Sequence, residues 1–282
     1  MSVQKVKGRT YVDTELMGTN VACIDTEQGL VLIDNPYVPD EIQQWKDALA
    51  RLSDRPVAYV INTHHHFDHC LGNALYSPNV VAHQSTYDEL TKPDGTMRRY
   101  FLSDSEELTP QVKQQVFDLP IGLPRFTFTD RMWLYLGDAT IELIHVGGHT
   151  DSSIYIYLVE DKVLFTGDTM VSNCHPYKGQ ANFRQWIVAL EKLQTIDVDV
   201  IVPGHGEVCG VEEATRMLDY FRQMWDRVAS LRREGYDKEE VVRRTNDLVA
   251  FFPVEPGSEA DASMMFDEGT ARLYDEMEAE AA

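Results

Sequence analysis

The feature that most constrains this chain is a twofold succession of short apolar runs, each block closed by a stretch with helical periodicity. In the first block "NVACIDTEQGLVLID" divides into two apolar runs around "TEQG", which is hairpin chemistry. "PDEIQQWKDALARL" (39–52) follows, with Ile42, Trp45, Leu49 and Leu52 at helical spacing. "PVAYVIN" and "NVVAH" (79–83) add two strands before a helix that begins near Ser85. The second block runs "MWLYL", "TIELIHV", "SIYIYLV" and "KVLFTG" through short turns to a helix at "NFRQWIVALEKL" and a strand at "DVDVIVPGH". From Val211 the pattern is helical, in "VEEATRMLDYFRQMWDRVASLRREG" and "DKEEVVRRTNDLVAFF", and no repeat at solenoid periods is present. Sheets stacked face to face need helices on their outer faces, so the pattern predicts an α/β fold, a four-layer αββα sandwich with extra C-terminal helices. Residues 1–210 are expected to form the sandwich, and 211–282 a helical extension packed on it or capping it. The stretch 91–130, with "LPIGLPRFTF", has no clear period; it reads equally as a lid or substrate-lining insertion and as a structural excursion.

Charge narrows the partners. Acidic residues outnumber basic ones 46 to 25 in 282 residues, a formal net charge of −21. Phosphate neutralisation needs clustered Lys and Arg, so nucleic acid is not an expected partner. From Glu255 onward nine acidic side chains face one basic one, Arg272, and this run reads as a solvated face or frayed terminus. Cys23, Cys70, Cys174 and Cys209 form no CxxC pair, which suits reduced thiols. The first residues lack the apolar core of a signal peptide and no apolar run is long enough for a bilayer, so the expected location is cytoplasmic, away from membranes.

The chemistry concentrates in "VINTHHHFDHCLGN" (60–73), where four histidines and Asp68 crowd between His64 and His69 at the end of a predicted strand. Buried imidazoles and carboxylates need partners, and a metal ion satisfies several at once. In an extended segment His64 and His66 point the same way and can reach one ion, while His65 points elsewhere and reads as a non-ligand or as a residue that supports the ligands from behind. Asp68 and His69 could hold a second ion. Further candidates sit where other predicted strands end: His149 in "VGGHTDSS", Asp168 in "LFTGDTM" and His205 in "IVPGHGE". His83 and His145 read as structural residues, and Cys70 as a small buried one.

The set "THHHFDH", "GGHT", "TGDT" and "VPGHG" resembles the metallo-β-lactamase superfamily, over roughly residues 10–210. The resemblance implies that His64, His66 and His149 bind a first metal, that Asp68, His69 and His205 bind a second, and that Asp168 bridges them. It also implies a pair of divalent ions, with zinc favoured and iron or manganese compatible with the same donors. Two such ions sharing a water turn it into hydroxide near neutral pH, so a small ester, thioester or lactone is the expected substrate, with Asp68 and Asp168 as catalytic residues. Keeping the bridging aspartate aligns the chain with the thioesterase, lactonase and glyoxalase II-like branches and leaves β-lactam hydrolysis at most a side activity. A phosphodiesterase on the same site is the competing enzyme reading, and a metal-binding sensor without turnover the non-enzymatic one. "MVSNCHPYKGQANF" (170–183) follows Asp168 and offers Asn173, His175, Tyr177 and Lys178 for substrate contact, with Cys174 beside them; it reads equally as a plain connection from strand to helix. A homo-oligomer is compatible with the apolar spacing of the C-terminal helices, which core packing explains equally well.

Overall fold

The computed structural model of the chain describes residues 3–92, 108–254 and 256–281. Strands β1 (Gln4–Lys7), β2 (Thr10–Asp13), β3 (Val21–Thr26), β4 (Gly29–Ile33), β5 (Val57–Ile61), β6 (Val80–His83) and β7 (Phe126–Phe128) form one sheet in chain order. It is antiparallel from β1 to β4 and parallel from β4 to β7. Strands β8 (Arg131–Tyr135), β9 (Thr140–His145), β10 (Ile154–Leu158), β11 (Val163–Val171) and β12 (Val200–His205) form a second sheet, ordered β12-β11-β10-β9-β8. Only its β11–β12 pair is parallel.

Alternation along the strands builds the layers. Ala22, Ile24, Val31 and Ile33 face inward and meet Ile141, Leu143, Ile154, Ile156 and Phe165 of the second sheet. Their neighbours Val21, Cys23, Leu30 and Leu32 face outward onto Trp45, Ala48 and Leu49 of helix α1 (Pro39–Leu52). On the opposite side Ile144, Tyr155, Leu164 and Ile201 pack against helices α5 (Phe183–Leu193), α6 (Val211–Arg233) and α8 (Glu259–Ala281) through Trp186, Phe221 and Phe266. Strands buried on both faces read as unbroken apolar runs, which is why the sequence shows them as such. The fold is therefore an αββα sandwich carrying C-terminal helices. Short helices α2 (Phe67–Cys70), α3 (Gln84–Leu90), α4 (Pro110–Phe117) and α7 (Lys238–Thr245) fill the connections.

The acidic end is a helix rather than a frayed terminus, and most of its acids form the expected solvated face. It forms α8, whose Ala262, Phe266, Thr270, Leu273 and Met277 are buried along one face while the acids lie on the others. Two of its side chains fasten it to the start of α5: Glu276 accepts from the Phe183 and Arg184 backbone N–H groups, and Arg272 Nε donates to the Ala181 carbonyl. The orphan amides of a helix N-terminus welcome a carboxylate, so the charge that suggests solvation serves as a cap here. Of the stretch 91–130, residues 93–107 lie outside the described residues. The remainder supplies α4 and β7, with Leu108 and Val116 buried beside Tyr37 and Leu71.

Candidate metal centre

The loop after β5, the β9–β10 loop, β11 and the end of β12 meet at one edge of the sandwich. Their donor atoms fall into two groups, His64–His66–His149–Asp168 and Asp68–His69–His205, with atoms in each group within 4.8 Å of one another. The Asp168 carboxylate lies between them. Its Oδ2 is 3.9 Å from His64 Nε2, 3.6 Å from His149 Nε2 and 3.3 Å from His205 Nε2, and its Oδ1 is 3.2 Å from His69 Nε2. Asp68 Oδ2 is 3.4 Å from His69 Nε2 and 3.5 Å from His205 Nε2.

Asp168 is not in a strand-end loop, the setting read from "LFTGDTM". It sits within β11, where pairing with β12 slips on either side of Gly167. Gly167 has φ +49°, and a Cβ there would lie 2.5 Å from Thr63 Oγ1; a Cβ on Gly204 would come within 1.9 Å of Asp168 Oδ1. Two glycines thus leave room for a bulge that delivers a buried carboxylate from mid-strand.

Each of three ligand-type imidazoles is steered through its other nitrogen. His69 Nδ1 donates to Asp34 Oδ2 at 2.8 Å, His149 Nδ1 to the Tyr177 carbonyl at 3.1 Å, and His205 Nδ1 to the Gly18 carbonyl at 2.9 Å. Such outer partners fix tautomer and ring orientation in metal sites. Asp34 escaped the sequence reading, although it closes the apolar run "LVLID". It also accepts from the Thr63 N–H and hydroxyl, so one buried carboxylate holds both the histidine turn and His69. Asp34 has φ +52°, a conformation asparagine tolerates. Asp34→Asn is therefore expected to fold and to weaken metal binding about 10–100-fold, read by chelator competition. Unchanged affinity would remove Asp34 from this role.

The donor set fits metal ions on its own chemistry. His64 Nε2 is buried without a hydrogen-bond partner, and His69 Nε2 and Asp168 Oδ1 face each other at 3.2 Å without a well-formed hydrogen bond, a costly state that a cation relieves. Burial, then neighbouring imidazoles, holds His64 well below its ordinary range and His66 down to about 3; burial takes His149 to about 4. These rings are neutral and offer lone pairs. Burial opposes charge on His69 and His205 as well, yet the carboxylates Asp68 and Asp168 outweigh it and hold both above the ordinary range, His205 at about 10. The same pairing outweighs burial for Asp68 and Asp168 and keeps both ionised. The carboxylates draw positive charge into the site, as a cation would supply it.

The residues expected to touch substrate separate. Tyr177 stands at the rim, 38% exposed, its ring 5.8 Å from His66 and 6.3 Å from His149. Asn173, exposed, accepts from Arg216 of α6 at 3.3 Å. His175 instead donates to the Val249 carbonyl at 2.9 Å and packs edge-on to Phe252, a structural seat between the loop and the C-terminal helices. Lys178 also corrects the expectation. It is fully buried, its Nζ donates to the Pro176 carbonyl at 2.9 Å, and the rings of Tyr220 and Phe266 lie 5.7 Å away. Burial pushes its ammonium down to about 7 from 10.5. Between those values the folded chain binds fewer protons than the unfolded one, so stability rises with pH across that window. Lys178→Met should raise the melting temperature most at about pH 6, with a gain that shrinks towards about pH 10. Equal gains at both pH values would contradict this. Cys70 is buried, donating to the His64 carbonyl, and burial raises its thiol far above the reactive range. Burial likewise takes Cys174 to about 12.

Residues 15–205 match the profile of the Metallo-beta-lactamase superfamily, and the chain belongs to that superfamily. It is 25% identical over 261 residues to the linear primary-alkylsulfatase of a Pseudomonas sp., covering 78% of this chain but 48% of the relative, so it spans about half that protein's length. It is 27% identical over 205 residues to the human acyl-coenzyme A thioesterase MBLAC2, covering 69% of this chain and 72% of that protein. Among solved structures, the sec-alkyl sulfatase PisA1 double mutant superposes with TM-score 0.73 at 17% identity, over 98% of this chain and 50% of the other. A metallo-β-lactamase family protein from Thermus thermophilus superposes with TM-score 0.68 at 16% identity, over 97% and 94% of the two chains. These superpositions share the fold. The family and the ligand cluster make the chain a metallo-hydrolase with a site for divalent metal ions. No helix among the described residues is long and apolar enough to cross a membrane.

Proposed function

We propose that this chain hydrolyses a small ester, thioester or lactone at a site for two divalent ions, with zinc as the resident metal. The observation that carries the reading is the Asp168 carboxylate, whose Oδ2 faces His64, His149 and His205 and whose Oδ1 faces His69, so that one side chain meets imidazoles of both donor groups. Imidazole and carboxylate donors without thiolate suit zinc, and iron and manganese accept the same atoms. Divalent ions in such a pair acidify water and polarise the carbonyl under attack.

The chain's own residues do the rest. His64, His66 and His149 would hold one ion and Asp68, His69 and His205 the other, with the Asp168 carboxylate facing imidazoles of both groups. Asp68, less buried than Asp168, is placed to accept a hydrogen bond from the attacking water and to orient it. Tyr177 offers the rim an aromatic surface beside His66 for the body of the substrate. The likeness to acyl-coenzyme A thioesterases supports an acyl substrate.

A second reading, hydrolysis of an alkyl sulfate, is favoured by the alkylsulfatase likeness over most of this chain. Side-by-side assays of the zinc-loaded chain on an acyl thioester, a lactone, an alkyl sulfate and a chromogenic phosphodiester separate the readings. Turnover of the thioester or lactone is expected. Turnover confined to the sulfate or the phosphodiester would replace the acyl reading. No turnover in metal-replete protein would promote a sensor.

A further inference from the structure

We propose that Gln180, in the loop between β11 and α5, is a positioning residue for the first metal: its amide oxygen fixes the tautomer of His66 and ties the non-ligand His65 into the same array. The inference rests on the dinuclear reading above.

His66 Nδ1 lies 3.0 Å from His149 Nε2, within the first donor group, so Nδ1 is the nitrogen turned towards the other ligands. Ligation needs a lone pair on Nδ1, and a neutral imidazole then carries its proton on Nε2. That Nε2 is 3.2 Å from Gln180 Oε1. An amide turned the other way would present its NH2 to Nε2 and demand the opposite tautomer, with the proton on the ligating nitrogen.

The same oxygen is 3.0 Å from His65 Nε2. On the far side of that ring, Nδ1 is 2.8 Å from Ser152 Oγ, which itself accepts the His65 backbone N–H at 3.1 Å. All protons find a place in one pattern: Ser152 donates to His65 Nδ1, His65 Nε2–H donates to Gln180, and His66 Nε2–H donates to Gln180. Ser152 also lies 3.2 Å from the hydroxyl of Thr150, the residue after His149. The array therefore begins beside one ligand and ends on another.

The two residues that follow Gln180 are anchored. Arg272 of α8 donates to the Ala181 carbonyl, and the Asn182 N–H donates to the Gly148 carbonyl at 2.8 Å. Outer partners of this kind are usually sought near the ligands in sequence, whereas Gln180 is 114 positions from His66.

The test uses the full chain and zinc competition with a chromophoric chelator. Gln180→Leu removes the acceptor at nearly constant size, and Gln180→Glu keeps one at the same reach. Gln180→Leu is expected to weaken one of the two zinc ions about 10–100-fold, with the other ion and both ions of Gln180→Glu within about threefold of wild type. Melting of the metal-free variants close to wild type would confirm that the fold is kept. Independently, long-range 1H–15N NMR of the zinc-loaded wild type should find His66 protonated at Nε2 and metal-bound at Nδ1. The proposal is overturned by wild-type affinity in Gln180→Leu, by equal losses in the Leu and Glu variants, or by metal on His66 Nε2. A wild type holding a single ion would defeat the dinuclear reading while leaving the His66 assignment open to the same spectrum; one holding none would defeat both.

Discussion

Asp168→Ala is expected to lower the metal content of the chain from close to two ions towards one, and to reduce turnover at least about 100-fold, since removing even outer partners of metal ligands costs about 10–100-fold. The carboxylate faces imidazoles of both donor groups, so its loss weakens the ion pair as a unit. Alanine keeps the bulge that Gly167 and Gly204 permit and takes away only the charge, so the sandwich should survive. Elemental analysis beside a turnover assay checks both parts. Two ions retained at wild-type affinity would show that the two groups do not depend on this residue.

Loading the metal-free chain is expected to raise its melting temperature substantially. Without cations His64 Nε2 is buried with no hydrogen-bond partner, and the Asp168 carboxylate is crowded against the imidazoles of His69 and His205. An ion at a hundred times its dissociation constant stabilises by about 2.7 kcal/mol. At about 2–4 °C per kcal/mol for a chain of this size class, each occupied site should add about 5–10 °C. Melts of chelator-treated and zinc-reloaded protein measure this directly. Coincident curves would mean that the cluster is stable without cations, against the fit inferred from its orphaned atoms.

Much of this architecture was legible in the sequence because it depends on local periodicity. The helix expected over 39–52 runs from Pro39 to Leu52, and the apolar runs appear as strands because burial on both faces leaves no polar alternation to confuse them. The histidine-rich turn was legible because four imidazoles and a carboxylate within six residues have few other reasons to cluster, whereas the mid-strand placement of Asp168 in β11 was not. Long-range geometry was not. The buried face of α8 was hidden by its acids, since nothing in the sequence says that Glu276 caps a helix 92 and 93 positions away. His175 and Lys178 looked like substrate contacts because they follow Asp168, yet the chain turns their side chains into the C-terminal helices. Asp34 and Gln180 act through histidines remote in sequence, so neither had a local signal beyond its place at the end of a run or in a loop.

The most direct measurement is a stepwise zinc titration of the metal-stripped chain, following hydrolysis of whichever substrate the panel selects. Activity absent at the start and rising to a break near two equivalents per chain is the predicted result. Full activity in the stripped protein, or a break at one equivalent, would contradict the claim that both donor groups hold working cations.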